Sequence, residues 1–406
     1  MVTLTSIARL DDRATGTQTG TINEPTVGCS SKALLVAGNW YASWSPDFGS
    51  TWQVLDPFTQ FPPTAAGFCC DQVVTYVPSA RLWIWFLQYS EDARGENIIR
   101  LAVSRTGGRG PWRWWDVRPT DLSSSWRGTW FDYPDLQVSD SHLWLSLNLF
   151  AGERWQRSVV IRYPLAELSR AQPATRRHWS TTTVGSLRFV AGAGDAMWFA
   201  GTLVGRSVLK LFRWDGSEDS VQGWDIPVSP WSADWDDYSS RCPDGTPWLN
   251  RVDDRITGAW RAGGHLGFVW SAGRSPSRPH PFVRTVIVDE ASTTLLAEPD
   301  LWSESAAWAY PTAAPNRRGE VGLAAFYGGP SSYPAFAVGV WDEEQGSWQT
   351  KLADVSTHSP PDRSWGDYVT IRPHIRRPTS WVAAGYTLQG GRDRRHIEPV
   401  VVTFRR

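Results

Sequence analysis

In the stretch Gly67-Phe68-Cys69-Cys70-Asp71-Gln72-Val73-Val74, two polar residues are followed directly by two β-branched ones. This order is typical of a strand that starts at a polar rim and runs into a buried interior. Six further stretches of the chain repeat the pattern. They are Ile22–Val27, Phe131–Leu136, Val184–Phe189, Trp235–Ser240, Trp308–Thr312 and Trp365–Thr370.

Each of these stretches is followed by a second apolar run rich in aromatic and β-branched residues, which favour strands. The repeat recurs at roughly 58 residues per unit, a spacing that suits a four-stranded propeller blade with generous loops. The second runs are Leu34–Tyr41, Leu82–Leu87, Leu143–Leu147, Met197–Gly201, Leu266–Trp270, Val321–Phe326 and Trp381–Tyr386.

The repeat predicts an all-β fold, a seven-bladed β-propeller of four-stranded blades that forms a single domain over residues 1–406. A closed ring removes exposed sheet edges. The strand-like ends Val2–Thr5 and Pro399–Phe404 are expected to complete one blade together. Helix patterns are scarce, and Pro164–Ser169 is a candidate for one short helical turn. A pair of β-sandwiches is the alternative, but it does not explain seven equivalent units.

Composition excludes several classes of partner. The net charge of −1 gives no electrostatic reason to expect nucleic acid or an anionic membrane surface. No apolar run approaches the roughly 18 to 20 residues that span a bilayer. The N-terminus carries no visible secretory signal. Most of the 27 Trp residues are expected to pack between sheets. The alternative for a given Trp is a platform on which a sugar stacks or a cation binds. We expect a monomer.

The four cysteines are Cys29, Cys69, Cys70 and Cys242, and they lack the spacing of a structural zinc site. Cys69 and Cys70 are adjacent. A vicinal disulfide there would form a tight ring of the kind that tends to lie at functional sites. Two reduced buried thiols in a strand are the slightly favoured alternative.

The stretch Ser45-Pro46-Asp47-Phe48-Gly49-Ser50-Thr51-Trp52 fits the pattern Ser-x-Asp-x-Gly-x-Thr-Trp, called an Asp box. The Asp carboxylate can accept backbone N–H groups of a turn, Gly supplies a positive φ, and Trp packs beneath. The motif predicts a hairpin turn between the outer strands of a blade. Asp47 is therefore expected to be structural and not catalytic.

The Asp box and the repeat together resemble the sialidase-like, or BNR-repeat, β-propellers. The resemblance implies that the protein acts on or binds glycans. It could be a glycosidase, a uronate-cleaving lyase or a non-catalytic glycan binder. The resemblance also favours an extracellular location. The Arg-Ile-Pro motif that opens typical sialidases is absent, and Asn23-Glu24-Pro25 stands near its expected place. That departure argues against true sialidase activity.

Aligning the repeats gathers carboxylates and phenols at one mouth of the channel, where crowded carboxyls raise one another's pKa and can supply an acid and a base. Alternatively, these groups cap strand starts and bind channel water. We expect no cofactor, with a calcium ion in the central channel as a further alternative. The candidate catalytic residues are Glu24, Asp71, Asp237, Asp367, Tyr133, Tyr238 and Tyr368.

A uronate lyase would also need cations for the substrate carboxylate and a Tyr or His base. A glycan binder would need aromatic platforms around the rim. The candidate substrate-binding residues are Trp40, Tyr41, Arg127, Asp132, Trp235, Arg241, Arg372 and His374, with Trp130 as a further platform. The sequence thus predicts a glycosidase or polysaccharide lyase acting at the channel mouth. The alternative is a non-catalytic propeller that binds a glycan or a protein.

Overall fold

Seven four-stranded antiparallel sheets make up the protein in the computed structural model, which describes residues 1–170, 174–203, 205–390 and 397–406. The predicted all-β, seven-bladed propeller is confirmed. In chain order the strands are β1 Thr3–Arg9, β2 Thr26–Cys29, β3 Leu34–Gly38, β4 Tyr41–Ser45, β5 Gln53–Val54, β6 Phe68–Val77, β7 Leu82–Tyr89, β8 Ile99–Ser104, β9 Arg113–Val117, β10 Trp130–Val138, β11 His142–Ala151, β12 Arg154–Pro164, β13 Arg177–Thr181, β14 Arg188–Phe189, β15 Met197–Leu203, β16 Val208–Trp214, β17 Val221–Pro227, β18 Ile256–Ala262, β19 His265–Ala272, β20 Phe282–Asp289, β21 Leu295–Ala297, β22 Ala307–Pro315, β23 Val321–Gly329, β24 Ser332–Asp342, β25 Ser347–Val355, β26 Thr370–Pro373, β27 Ser380–Leu388 and β28 Ile397–Arg405.

Each blade takes four strands in simple order, counted from the channel outward. Blades 1 to 6 are β2–β5, β6–β9, β10–β13, β14–β17, β18–β21 and β22–β25. Blade 7 consists of β26, β27, β28 and the N-terminal strand β1. The predicted closure by the two chain ends is confirmed, with Thr3 opposite Arg405 and Arg9 opposite Val400.

The innermost strands form the wall of the channel. Each contacts the next around the ring, from β2 to β6 and on to β26, and β26 contacts β2 again. In the ranges that the structure describes, helices are few and short. They are α1 (Asp12–Thr15), α2 (Pro119–Leu122) and α3 (Leu165–Arg170), with a 3-10 helix at Trp235–Tyr238. The predicted helical turn at Pro164–Ser169 is thus confirmed as α3.

Tryptophan packing between blades accounts for much of the core. Several indole N–H groups find partners inside the protein, as Trp85 Nε1 donates to Gln72 Oε1 at 2.9 Å and Trp381 Nε1 donates to the Ala314 carbonyl at 2.9 Å. A buried indole with a bonded N–H adds apolar burial without an unpaired donor. Among the fully buried Trp side chains, Trp270 and Trp365 have no hydrogen-bond partner for Nε1 within the described residues. The fully buried Trp residues are Trp85, Trp144, Trp214, Trp248, Trp270, Trp365 and Trp381.

The Asp box forms the predicted turn between β4 and β5 of blade 1. The two Asp47 carboxylate oxygens accept the Thr51 backbone N–H at 2.8 Å and the Thr51 hydroxyl at 2.7 Å. Ser45 Oγ accepts the Gly49 backbone N–H at 2.7 Å, and Gly49 has a φ of +99° that favours glycine. The prediction that Asp47 holds a turn is confirmed.

Four residues just before an inner strand or in its first half share an unusual backbone. Glu24, Tyr133, Ser186 and Tyr310 have φ values of +48°, +52°, +52° and +51° in blades 1, 3, 4 and 6. Non-glycine residues at positive φ are uncommon and are retained where the surrounding structure requires them. All four lie in the repeated stretches that mark the inner strands, and their common geometry supports the equivalence of these units.

Blade 5 departs from the alignment. Its inner strand β18 begins at Ile256, whereas the predicted Trp235–Ser240 lies in the 3-10 helix of the long connection after β17. The placement of Asp237 and Tyr238 at the start of an inner strand was therefore wrong. The Trp-Asp-Asp-Tyr sequence imitates Trp365-Gly366-Asp367-Tyr368 of blade 7, but no run of strand-forming residues follows it.

Candidate functional site

Three carboxyl groups converge at the channel mouth, where the inner strands of blades 7, 1 and 2 begin. Glu24 Oε2 accepts a hydrogen bond from Asn39 Nδ2 at 3.0 Å, and Glu24 Oε1 accepts the Asp367 backbone N–H at 3.4 Å. Asp71 lies close enough to raise the pKa of Glu24 by charge repulsion. The predicted residues Glu24, Asp71 and Asp367 therefore form one cluster.

The pKa of the Asp71 carboxyl is raised strongly toward neutrality. Burial, together with repulsion from Asp132 and Asp367, raises its pKa to about 8, against a weaker lowering by the Tyr368 hydroxyl and Arg255. The side chain is only 9% exposed. A carboxyl in this environment keeps its proton at neutral pH, as a general acid must.

Glu24 and Asp367 differ in their partners. Burial is the main cause that raises the pKa of both groups. Two guanidinium groups oppose it at Asp367, since Arg255 Nη2 lies 3.2 Å and Arg251 Nη2 lies 3.6 Å from Asp367 Oδ2. Glu24 is fully buried with no cation in ion-pair distance among the described residues. Asp367 is thus the member of the cluster best placed to carry a negative charge.

Two tyrosines complete the mouth. The Arg255 guanidinium lies 4.0 Å from the centroid of the Tyr133 ring, and Arg188 Nη2 donates to the Tyr133 hydroxyl at 3.3 Å. Tyr368 meets Tyr133 edge to face at 6.3 Å between ring centroids. Burial raises the pKa of both phenols. Both therefore act as neutral hydrogen-bonding groups at ordinary pH.

Several buried polar atoms around this cluster have no hydrogen-bond partner among the described residues. Such atoms are costly unless water or a ligand satisfies them, and they are expected to be few in a folded protein. Four such atoms belong to residues around the carboxyl cluster, and a bound polar molecule would satisfy them. They are Asn39 Oδ1, Gln88 Oε1, Asp367 Oδ1 and Tyr368 Oη.

Below the mouth the channel is nearly filled. Arg188 forms a buried ion pair with Asp135 at 3.0 Å, and the Asp135 carboxylate also accepts the Phe189 backbone N–H at 2.7 Å. A cavity of only about 30 Å³ remains between the inner strands at this level. That space suits one or two waters, so the channel below the mouth is not an open pore at this level.

At the rim, Cys69 and Cys70 form a vicinal disulfide directly before Asp71. The slightly favoured expectation of two reduced thiols was wrong for this pair. Cys29 and Cys242 are free and buried. Asp132, predicted to bind substrate, lies half-buried beside Asp71 and accepts Gln88 Nε2 at 3.0 Å.

The predicted residues on the blade 4 to blade 5 connection lie outside the cluster. Asp237 pairs with Ser232 and Arg274, and those two bonds lower its pKa. The buried Tyr238 donates to the Ser271 carbonyl at 3.2 Å, and Arg241 donates to the Gly245 carbonyl at 2.8 Å. Trp235 is 58% exposed. These positions follow from the later start of β18.

Tyr41 is buried and donates to Asn23 Oδ1 at 2.9 Å. His374, at the far end of β26, accepts the Arg376 and Arg377 backbone N–H groups at 3.1 and 3.2 Å, and burial lowers its pKa to about 4. Neither side chain faces the mouth cluster.

The remaining candidates occupy three different environments. Arg372 lies in the channel wall below the mouth. Arg127 is exposed in a turn before β10. Trp40 is half-buried and lines, with Phe58, Thr21 and Ile22, a cleft of about 980 Å³. Of these three residues, only Trp40 lines a surface cleft in which a sugar ring could stack on it.

Sequence reasoning missed Arg255, which occupies the place in blade 5 that was assigned to Asp237. A spacing signal was available. In blades 1, 2 and 3 the rim residue precedes the second strand by about 10 or 11 residues, and Arg255 stands at this distance from Leu266, whereas Asp237 does not. Arg251 and Asn39 were also missed, because only the folded chain brings them to the carboxyls.

Among the residues that the structure describes, no group of three or more His, Cys, Asp or Glu side chains is arranged to hold a metal ion. Within the same ranges, no helix is both long enough and apolar enough to span a membrane.

No protein-family model matches the chain, and no curated protein matches it. Solved propellers do. A protein of unknown function from Dyadobacter fermentans matches with a TM-score of 0.51 and 9% identity over 100% of this chain and 99% of its own. An α-L-arabinofuranosidase from Fusarium graminearum gives 0.49 and 11% over 98% and 97%. An α-L-arabinanase from Penicillium chrysogenum, complexed with arabinobiose, gives 0.46 and 10% over 99% and 98%.

At these identities the likeness shows the propeller fold alone. The resemblance noted in the sequence is thus confirmed for the seven-bladed architecture, and membership of the sialidase-like family stays a prediction.

Proposed function

We propose that the protein is a glycoside hydrolase whose active site is the carboxyl cluster at the channel mouth. The observation that carries this proposal is the contrast between two carboxyls in one pocket. Asp71 keeps its proton because burial and neighbouring carboxylates raise its pKa to about 8, whereas Asp367 is held by Arg255 and Arg251. Glycosidases use such a pair, one carboxylic acid and one carboxylate.

In this proposal Asp71 is the general acid that protonates the leaving glycosidic oxygen. It lies at the rim, and its proton is available at neutral pH. Asp367 is the carboxylate partner, acting either as nucleophile or as the base for water. Its Oδ2 is engaged by Arg255, while Oδ1 has no hydrogen-bond partner among the described residues and is free to meet the sugar or water.

The other groups would position the substrate. Tyr368 Oη and Asn39 Oδ1, both buried without a partner in the described part of the chain, supply one hydroxyl and one acceptor for sugar hydroxyls. Glu24 accepts a hydrogen bond from Asn39 Nδ2 and so fixes the orientation of the Asn39 amide. Burial and repulsion from Asp71 raise the pKa of Glu24, which favours its neutral form.

The lyase alternative is less well supported. A lyase of this kind would need a tyrosine or histidine that gives up its proton readily, but burial raises the pKa of Tyr133 and Tyr368. The Tyr238 hydroxyl donates to the Ser271 carbonyl and burial raises its pKa, while His374 Nδ1 accepts two backbone N–H groups after β26. The non-catalytic alternative would depend on platforms such as Trp40 and Trp235, and only Trp235 is largely exposed.

The test measures release of reducing ends and of ultraviolet-absorbing unsaturated uronates over a panel of neutral and acidic glycans. Arabinobiose and arabinan are included because one of the matching propellers was solved with arabinobiose. Asp71→Asn and Asp367→Asn are each expected to lower kcat on the order of 10² to 10⁴-fold. Asp237→Asn is the matched control and should retain activity, because Asp237 lies outside the cluster.

Hydrolysis that survives both substitutions would overturn the residue assignment. Unsaturated products would replace the hydrolase with a lyase. Saturable glycan binding without any turnover would favour the binding module. For an active enzyme, ¹H NMR of the fresh product would identify retention or inversion, and so the role of Asp367.

A further inference from the structure

Proline stiffens the strand starts of three blades. Glu24-Pro25, Tyr133-Pro134 and Tyr310-Pro311 each place a residue with φ near +50° directly before a proline. Proline has a fixed φ and no backbone N–H, so it cannot donate a hydrogen bond to the neighbouring strand. The rim side chain is thereby held at a fixed backbone position in blades 1, 3 and 6.

Blade 2 lacks this proline and has a larger irregularity. Phe68 pairs with Tyr89 and Gln72 pairs with Leu87, so Cys69, Cys70 and Asp71 all face the single residue Gln88. In blade 3 only two residues, Tyr133 and Pro134, face one. A bulge with more unpaired residues has more conformational freedom to lose when it is ordered.

Both ends of the blade 2 bulge are anchored. Phe68 packs edge to face against Phe58 at 5.0 Å and Tyr89 at 6.1 Å between ring centroids. Gln72 Nε2 donates to the carbonyls of Gly38 at 2.6 Å and Tyr41 at 3.0 Å. Loosening of the bulge would therefore stay local and leave the sheet intact. Within the bulge, the covalent constraint is the Cys69–Cys70 disulfide.

We propose that the Cys69–Cys70 disulfide is the positioning element that holds the Asp71 carboxyl in the buried mouth, in place of the proline used by other blades. Opening the disulfide frees the bulge and turns Asp71 toward water. The catalytic consequence rests on the proposed function, but the displacement of Asp71 does not.

The disulfide is open to chemical test. Cys69 and Cys70 are half-buried at the rim, whereas the free thiols Cys29 and Cys242 are buried. A water-soluble phosphine reduces the S–S bond to two thiols and is itself oxidised to the phosphine oxide, with water supplying the oxygen and both protons. The same folded protein can thus be compared in its two states.

The primary measurement is the ¹³C NMR titration of the Asp71 carboxyl, assigned by its loss in Asp71→Asn. Oxidised wild type is expected to titrate near 8. Phosphine-reduced wild type and the double variant Cys69→Ser/Cys70→Ser should titrate lower by at least about one unit, because the carboxyl gains water. The double variant should not respond to phosphine. Cys242→Ser is the control and should behave as wild type.

An Asp71 titration that is the same before and after reduction overturns the proposal, whatever the activity does. With an active substrate, reduction is expected to lower kcat more than it changes KM and to move the alkaline limb of the pH profile to lower pH. A shifted titration in a protein that hydrolyses no glycan would leave the positioning role standing and reject the hydrolase. Because reduced wild type needs no substitution, a misfolded serine variant cannot obscure the result.

Discussion

Arg255 and Asp367 are 112 residues apart in sequence, yet their side chains meet at the channel mouth with Nη2 3.2 Å from Oδ2. The contact joins blade 5 to blade 7 over the space where blade 6 begins. The contact gives Asp367 a cationic partner that partly opposes the effect of burial on its pKa, which Glu24 and Asp71 lack at ion-pair distance among the described residues.

Arg255→Met removes the closest cation from Asp367. We expect the pKa of Asp367 to rise further, because burial then acts with less opposition. Loss of this electrostatic support is expected to lower kcat/KM on the order of 10²-fold. Steady-state kinetics on the substrate found in the panel would measure it.

Arg274→Met is the matched control for that variant, since Arg274 Nε pairs with Asp237 Oδ1 at 3.3 Å on the surface. Its activity should equal that of wild type. Equal losses in both variants would contradict a specific role for Arg255.

Asp71 should make the protein less stable as the pH rises. Its folded pKa of about 8 lies above the unfolded value of about 3.9, so the folded state holds a proton that the unfolded state has lost between these values. Stability from this group is greatest below about pH 4 and is lost as the pH rises toward about 8. Asp71→Asn should flatten part of that decline in Tm, measured by scanning calorimetry from about pH 5 to about pH 9.

The comparison protein is Asp237→Asn. The bonds from Ser232 and Arg274 lower the pKa of Asp237, so its loss cannot flatten a decline in this window. A wild-type Tm that rises from about pH 5 to about pH 8 would refute the raised pKa of Asp71.

Asp47→Ala is expected to lower the stability of the protein without changing its activity. The substitution removes both acceptors of Thr51 in the turn between β4 and β5, so Tm is expected to fall. The turn is distant from the carboxyl cluster in blade topology, and kcat/KM should stay at the wild-type value. A variant with normal Tm and lost activity would contradict the structural role of the Asp box.

Arg372→Met is expected to raise Tm. Burial lowers the pKa of Arg372, which means that the folded environment disfavours the charged guanidinium. Within the described residues no carboxylate lies at ion-pair distance from it, and its Nε has no hydrogen-bond partner. Arg372 is half-buried, and replacing a partly desolvated charge without an ion-pair partner by an apolar side chain of similar length removes that cost. Thermal unfolding of both proteins in low-salt buffer is the measurement, and a lower Tm would refute it.

Much of the architecture follows from local pattern. A polar rim residue followed by β-branched residues, as in Asp71-Gln72-Val73-Val74, marks the start of an inner strand. The spacing from this residue to the second apolar run marks the blade. Blade 5 differs because Trp235–Tyr238 has the composition of a strand start but lies in a connection. The spacing to the second strand points to Arg255 instead.

The site was only partly predictable for a different reason. Glu24, Asp71 and Asp367 share a repeat position, so aligning the units brought them together. Arg251 and Asn39 reach the same pocket from connections whose course is set by tertiary packing. The Cys69–Cys70 bond likewise depends on a bulge in β6 that alternation alone does not reveal.

The left-handed backbone shared by Glu24, Tyr133, Ser186 and Tyr310 has a consequence for how this scaffold can change. Four side chains of quite different chemistry, an acid, two phenols and a hydroxyl, are accepted at the same backbone geometry. The main-chain conformation at these four positions therefore does not depend on which side chain is present. A new specificity could be reached by exchanging the side chains at these positions, without changing the strands.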